Sequence, residues 1–171
     1  MRSFIPILVC LLLSGCASAY KTVPDGYAGS TAMIKDSFQA TGSTQANFFY
    51  VEKVDGHDVE NGREKSLAAS RGKGFYISPI LFWRMVPASK SVALSIVGRT
   101  QHAAPILALT HAEFQVKGVI EFTPDPDGVY VVRGELGDAY SAVWLEEFRS
   151  QKMVSNKIEI KGSAKLGILE K

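Results

Sequence analysis

Cysteine is almost missing from this sequence: Cys10 and Cys16 are the only two, and no cysteine follows them. A domain built from the remainder of the chain therefore folds without an internal disulfide framework. Histidine is nearly as scarce, and His57, His102 and His111 share no short metal-ligand spacing. The chain contains no G-x-S-x-G, H-E-x-x-H, C-x-x-C or phosphate-binding loop, the local signatures of several hydrolase, metal, redox and nucleotide sites. Gly72-Lys73-Gly74 begins like a dinucleotide loop but lacks the third glycine, so it reads as an ordinary loop. Charge of one sign is also lacking. A formal net charge of +2 leaves no electrostatic footprint for nucleic acid. The longest apolar run, Phe4 to Leu13, is half the length of a membrane-spanning helix, which needs about 20 such residues.

What that run does have is the length of a signal-peptide hydrophobic region, with Arg2 ahead of it and small residues behind. The ending Leu13-Ser14-Gly15-Cys16-Ala17 resembles the lipobox of bacterial lipoproteins. The resemblance implies cleavage before Cys16 and lipid on its thiol. It makes residues 1–15 a removed signal peptide and gives the mature chain one cysteine. Small side chains at 14 and 15 suit a peptidase cleft, and only a thiol can form the thioether. Ala17, where an aspartate would imply retention at the inner membrane, implies an outer-membrane address in a double-membraned bacterium, on the periplasmic or surface side. Residues 16–30 hold Pro24, Asp25-Gly26 and Gly29 with little apolar content, and read as a lipidated cysteine followed by a flexible tether.

Residues 31–171 read as one all-β domain. From Glu113 to Leu136 apolar and polar residues alternate on both sides of Pro124-Asp125-Pro126-Asp127-Gly128, which predicts a β-hairpin. Asn47–Val54 is aromatic and β-branched and stops at Asp55-Gly56. Val92–Arg99 and Tyr140–Phe148 are more continuously apolar, and Asn156–Lys161 alternates again. Thr31–Phe38 reads as a first strand with Ile34 and Phe38 on one face. Asn61–Ser70, with Leu67, Ala68 and Ala69 among charges, is the one helical candidate, but it lacks apolar spacing at three and four and reads rather as a loop. The pattern predicts an antiparallel β-sandwich of about seven or eight strands with little helix.

Phe49-Tyr50-Val51 leading into Val54-Asp55-Gly56, Arg84-Met85-Val86-Pro87-Ala88, Gly134-Glu135-Leu136 and Val143-Trp144-Leu145-Glu146-Glu147 resemble segments of small envelope lipoproteins without an assigned activity. A strand into a "VDG" turn, then a "VPA" turn and a strand, is similar to PEGA-like β modules associated with carbohydrates or surfaces. Four residues stand out as binding candidates. Arg71 and Lys73 belong to a basic, glycine-containing segment with Arg63 and Lys65, suited to anionic lipid or polymer. Trp83 and Arg84 precede a proline turn, where an indole can stack on a ring or anchor a contact. Trp144, among apolar residues, reads as core. Asp125 and Asp127 are explained by their turn, and Glu146 and Glu147 point to opposite faces of a strand. His102 and His111 bracket an apolar stretch that reads as buried.

No catalytic residue, metal site or cofactor is expected. The leading expectation is a non-catalytic binding or structural module, anchored through Cys16 and touching an envelope protein or a cell-wall polymer. The alternatives are an envelope hydrolase whose triad is assembled only in space and an assembly subunit of an envelope or secretion complex.

Overall fold

The computed structural model describes residues 20–167 and residue 170. The signal segment 1–15 and Cys16 lie outside the described residues. Ten strands and two short helices follow in the order β1 (Thr31–Lys35), β2 (Ser37–Ala40), β3 (Gln45–Val54), β4 (His57–Asp58), α1 (Gly62–Ser70), β5 (Trp83–Pro87), β6 (Val92–His102), α2 (Pro105–Thr110), β7 (Gln115–Phe122), β8 (Val129–Glu135), β9 (Tyr140–Glu147) and β10 (Ile158–Lys161). They form the two packed five-stranded sheets of a β-sandwich. One sheet has the order β10-β9-β8-β1-β5; the other runs β2-β3-β6-β7, with β4 paired to β3. All pairings are antiparallel except β1 with β8. The two- to five-residue strands β2, β4 and β5 account for the excess over the expected count.

Alternation sets which side chains meet between the sheets. Ile34, Val86, Tyr130, Val132, Val143 and Leu145 of the first sheet face Phe49, Val51, Leu94, Ile96, Val116 and Ile120 of the second. A β-bulge between Val51 and Lys53 keeps both Val51 and Val54 in that core, which explains the broken alternation there. The outer face of β3 carries a second cluster, Ala46, Phe48 and Tyr50, which packs with Val97 of the neighbouring strand and with Ile77. Both faces of β3 are covered, hence its nearly unbroken apolar run.

Three expectations change. β7 and β8 form close to the predicted places, but they belong to opposite sheets and do not pair. Residues 123–128 make an arch between the layers, not a hairpin turn. Asp127 takes a positive φ of 58°, and Phe122 meets Tyr130 edge to face at 4.7 Å across the interior. Alternation assigned the faces; it could not assign the neighbour. Next, Thr31–Phe38 is two strands broken at Asp36, with Ile34 in the inter-sheet core and Phe38 on the outer cluster.

Finally, residues 62–70 are helical. Asn61 caps the helix by accepting from the Glu64 N–H at 3.0 Å. The buried stripe of α1 is Gly62, Ser66 and Ser70, four residues apart and therefore on one face. The returning chain lies against this stripe: Ser66 Oγ accepts from the Ile80 N–H at 2.7 Å, and Ser70 Oγ from the Ser78 N–H at 2.9 Å. The helix docks through hydroxyls and backbone, so it shows no apolar stripe.

Candidate functional site

Asp36, at the β1–β2 break, organises one end of the sandwich. Its carboxylate accepts from the N–H groups of Val51 (3.2 Å) and Gly62 (2.8 Å) and receives the Arg84 guanidinium through Nη1 at 2.8 Å and Nη2 at 2.9 Å. Nη2 also donates to the Glu60 carbonyl at 3.0 Å. Both side chains are buried. Burial pushes the Asp36 carboxyl above the usual carboxylate value, against the opposing pull of Arg84 and the two N–H groups. Arg84, expected as a binding residue, is thus turned inward, and its two terminal nitrogens tie β5 to the start of α1.

Its neighbour Trp83 points the other way. Lys35 and Trp83 are cross-strand partners on β1 and β5, and the Lys35 ammonium sits 4.0 Å above the Phe148 ring. Leu81 is 72% exposed, Trp83 54% and Phe148 45%. Lys35, Leu81, Phe82 and Trp83 line one small hollow. Phe82 also lines an adjoining groove of about 290 Å³, whose other walls include Tyr20, Thr22, Val59 and Met85.

Residues 20–30, read as part of a flexible tether, run along the outer edge of β5, and Tyr20, Lys21, Thr22 and Val23 form one wall of this groove. The Phe82 and Ala88 backbones face β1 and its approaches. By alternation the Met85 carbonyl faces the free edge, where it accepts from the Thr22 hydroxyl. Tyr20 stacks on His57 at 4.2 Å, and the Ala88 N–H donates to Ser30 at 2.9 Å. This stretch lacks regular structure because Pro24 and two glycines interrupt it, yet it is attached at several points.

Arg71 and Lys73 are exposed beyond the C-terminus of α1, with Lys73 Nζ donating to Ser78 Oγ at 3.3 Å. They flank the loop that carries Phe75 and Tyr76, both exposed, and are not gathered with Trp83 or Arg84 into one pocket. Arg63 instead donates to the Gln101 side chain, and Lys65 pairs with Glu60. Trp144 is not core. It lies half-buried on the outer face of the first sheet, donating to Glu146 at 2.7 Å beneath the Lys157 ammonium.

A second hollow, about 360 Å³, lies between α1 and α2 and is lined by Arg63, Arg99, His102, Leu109 and Glu113. Its charges engage one another or the chain. Arg99 Nη2 is 3.6 Å from the buried Glu113 carboxylate, and Nη1 donates to Gln115 at 2.9 Å. The His102 and His111 rings do meet, at 5.4 Å, although Ile106 and Leu109 between them are exposed, not buried. His111 Nδ1 lies 2.9 Å from Thr110 Oγ1 and 3.0 Å from the Leu107 carbonyl. A carbonyl only accepts, so that contact requires a proton on Nδ1. Nδ1 is then no base for the threonine hydroxyl; the group caps α2. Among the described residues, no cluster of three or more His, Cys, Asp or Glu side chains could hold a metal, and no helix is long and apolar enough to cross a membrane.

Sequence reasoning singled out Trp83 but missed Leu81 and Phe148 near it and Tyr20 in the adjoining groove. Leu81 was visible as an apolar residue two positions before Trp83; Phe148 arrives through sheet order, and Tyr20 through its stacking on His57. Comparison with protein-family models, curated proteins and solved structures found no match.

Proposed function

We propose that the chain is an envelope lipoprotein, held on a membrane by lipid on Cys16, whose β-sandwich is a non-catalytic binding or structural module. The observation that carries the binding part is the patch of Leu81, Trp83 and Phe148, large apolar side chains left in solvent beside a hollow that Leu81 and Trp83 line with Lys35. A contiguous apolar patch of this kind marks a contact surface. Its backing is firm, since the segment leading into it is bonded to Ser66 and Ser70 and its strand is clamped by Arg84 and Asp36. The anchoring part rests on the Leu13-Ser14-Gly15-Cys16-Ala17 signature. Two or more acyl chains on that cysteine would make attachment lasting, where a single chain gives only marginal binding. An outer-membrane address follows from Ala17 under the same reading.

The test is recovery of the protein from membranes beside a Cys16→Ser version, after cross-linking and mild detergent extraction. The expected result is membrane recovery of the unaltered protein and its loss in the variant, together with a discrete envelope component cross-linked to the domain. Equal membrane recovery of Cys16→Ser would overturn the anchor. Turnover of an envelope substrate that is abolished at one histidine would overturn the non-catalytic reading.

A further inference from the structure

We infer that the ridge formed by Tyr20, Leu81, Trp83 and Phe148 is a lipid-bilayer contact, set beside the point where the chain arrives from Cys16. The ridge is linked stepwise through Phe82 and Lys35. Tyr20 shares a groove with Phe82, Phe82 shares the next hollow with Leu81, Trp83 and Lys35, and the Lys35 ammonium lies over Phe148. Its composition is that of a membrane interface: an indole, a phenol, a phenyl ring, aliphatic bulk, and a lysine whose ammonium lies over that phenyl ring.

Geometry favours a bilayer over any other occupant, and this step rests on the reading of Cys16 as the lipidated residue. Tyr20 follows Cys16 by four residues, so no more than about 15 Å of chain separates their Cα atoms at 3.8 Å per residue. A domain of this length has a radius of gyration of about 15 Å and is correspondingly about twice that across or more. The connection is therefore shorter than the domain is wide. Because Thr22 and Tyr20 are docked at β5 and His57, the domain cannot swing its opposite side towards the membrane on that connection. The side around Tyr20 is the one that meets the headgroups, and the hollow of Leu81 and Trp83 adjoins it through Phe82.

The test uses protein produced from the full sequence in a double-membraned bacterium, extracted in detergent. It is reconstituted into phosphatidylethanolamine–phosphatidylglycerol vesicles with and without bromine on the acyl chains. The two tryptophans are Trp83 and Trp144, so Trp144→Phe leaves Trp83 as the reporter. Should Trp144→Phe fail to fold, the difference between the unaltered chain and Trp83→Phe gives the same quantity. Trp83 emission is expected to shift to the blue and lose most of its intensity in brominated vesicles. Leu81→Asp, an exposed position, should restore that intensity with an unchanged circular-dichroism spectrum. Equal Trp83 emission in brominated and plain vesicles would overturn the ridge. The mass of the N-terminal peptide in the same sample reports Cys16 separately. Lipid on Cys16 with unquenched Trp83 sinks the ridge alone, whereas quenching without lipid on Cys16 sinks the anchor and leaves the ridge.

Discussion

Arg84 and Trp83 are adjacent in sequence and opposite in fate, because successive residues of a strand face opposite sides. Which of the two turns inward is decided by Asp36, forty-eight positions away. No local pattern around Arg84 records that partner, so its burial was illegible, while the exposed indole beside it was not. Breaking this pair leaves one charge buried and uncompensated. Asp36→Ala is expected to destabilise the protein by about 3–5 kcal/mol, and the double variant with Arg84→Met by clearly less, in urea unfolding. A second residue-scale prediction concerns Tyr140, whose hydroxyl donates to Glu159 at 2.6 Å. That bond to a carboxylate, with lesser help from burial and negative neighbours, pushes the phenol up to about 12. The folded value lies above the unfolded one. The stability it contributes is therefore fully present below the ordinary value of 10.0 and is lost as pH rises through about 12. Burial also raises Tyr50 and Tyr130, so ultraviolet titration should show a late-ionising tyrosine fraction that shrinks in Glu159→Gln; no change in that variant would refute the assignment to Tyr140.

Among the elements, those that pack by alternation were readable and those that pack by hydroxyls were not. β3, β6, β9 and β10 stand where apolar periodicity put them. β7 and β8 do too, but sheet membership depends on the arch at residues 123–128, and a Pro/Asp/Gly turn serves an arch as well as a hairpin. β5 is short, lies at an edge and ends in Pro87, so it read as a turn. α1 was hidden for a different reason. Its buried residues are glycine and serine, so Leu67, Ala68 and Ala69 among charges showed no apolar stripe to support a helix. The Ser66 and Ser70 hydroxyls supply acceptors to backbone N–H groups that would otherwise be buried without one. Ser66→Ala should therefore cost about 1–3 kcal/mol. Amide exchange should locate the effect, with the Ile80 N–H exchanging faster in Ser66→Ala and the Ser78 N–H in Ser70→Ala. Unaltered exchange at Ile80 would mean that the helix holds the segment 71–82 by other means.

For the molecule as a whole, the sandwich closes tightly enough that a single methyl is felt. A Cβ at Gly134 would stand 2.5 Å from the Ala142 carbonyl oxygen and 2.5 Å from the Phe49 ring. Gly134→Ala should cost about 1–3 kcal/mol by overpacking, read as a lowered midpoint in urea. The fold class was legible because two faces of alternating strands can be buried only against another layer. The proposed ridge was not, because Tyr20, the Leu81–Trp83 stretch and Phe148 come from three separate segments that only the fold brings together. Under the proposed lipidation of Cys16, the same assembly orients the domain: the chain would arrive beside Tyr20, and the short run from Cys16 would set that side down on the membrane. Everything about that placement depends on what the mature N-terminus is. The measurement that decides it is mass spectrometry of the N-terminal peptide of protein made from the full sequence in a double-membraned bacterium. The account predicts a peptide beginning at Cys16 and carrying a diacylglyceryl group on the thiol. A mature chain that begins elsewhere, or a Cys16 with a free thiol, would contradict it.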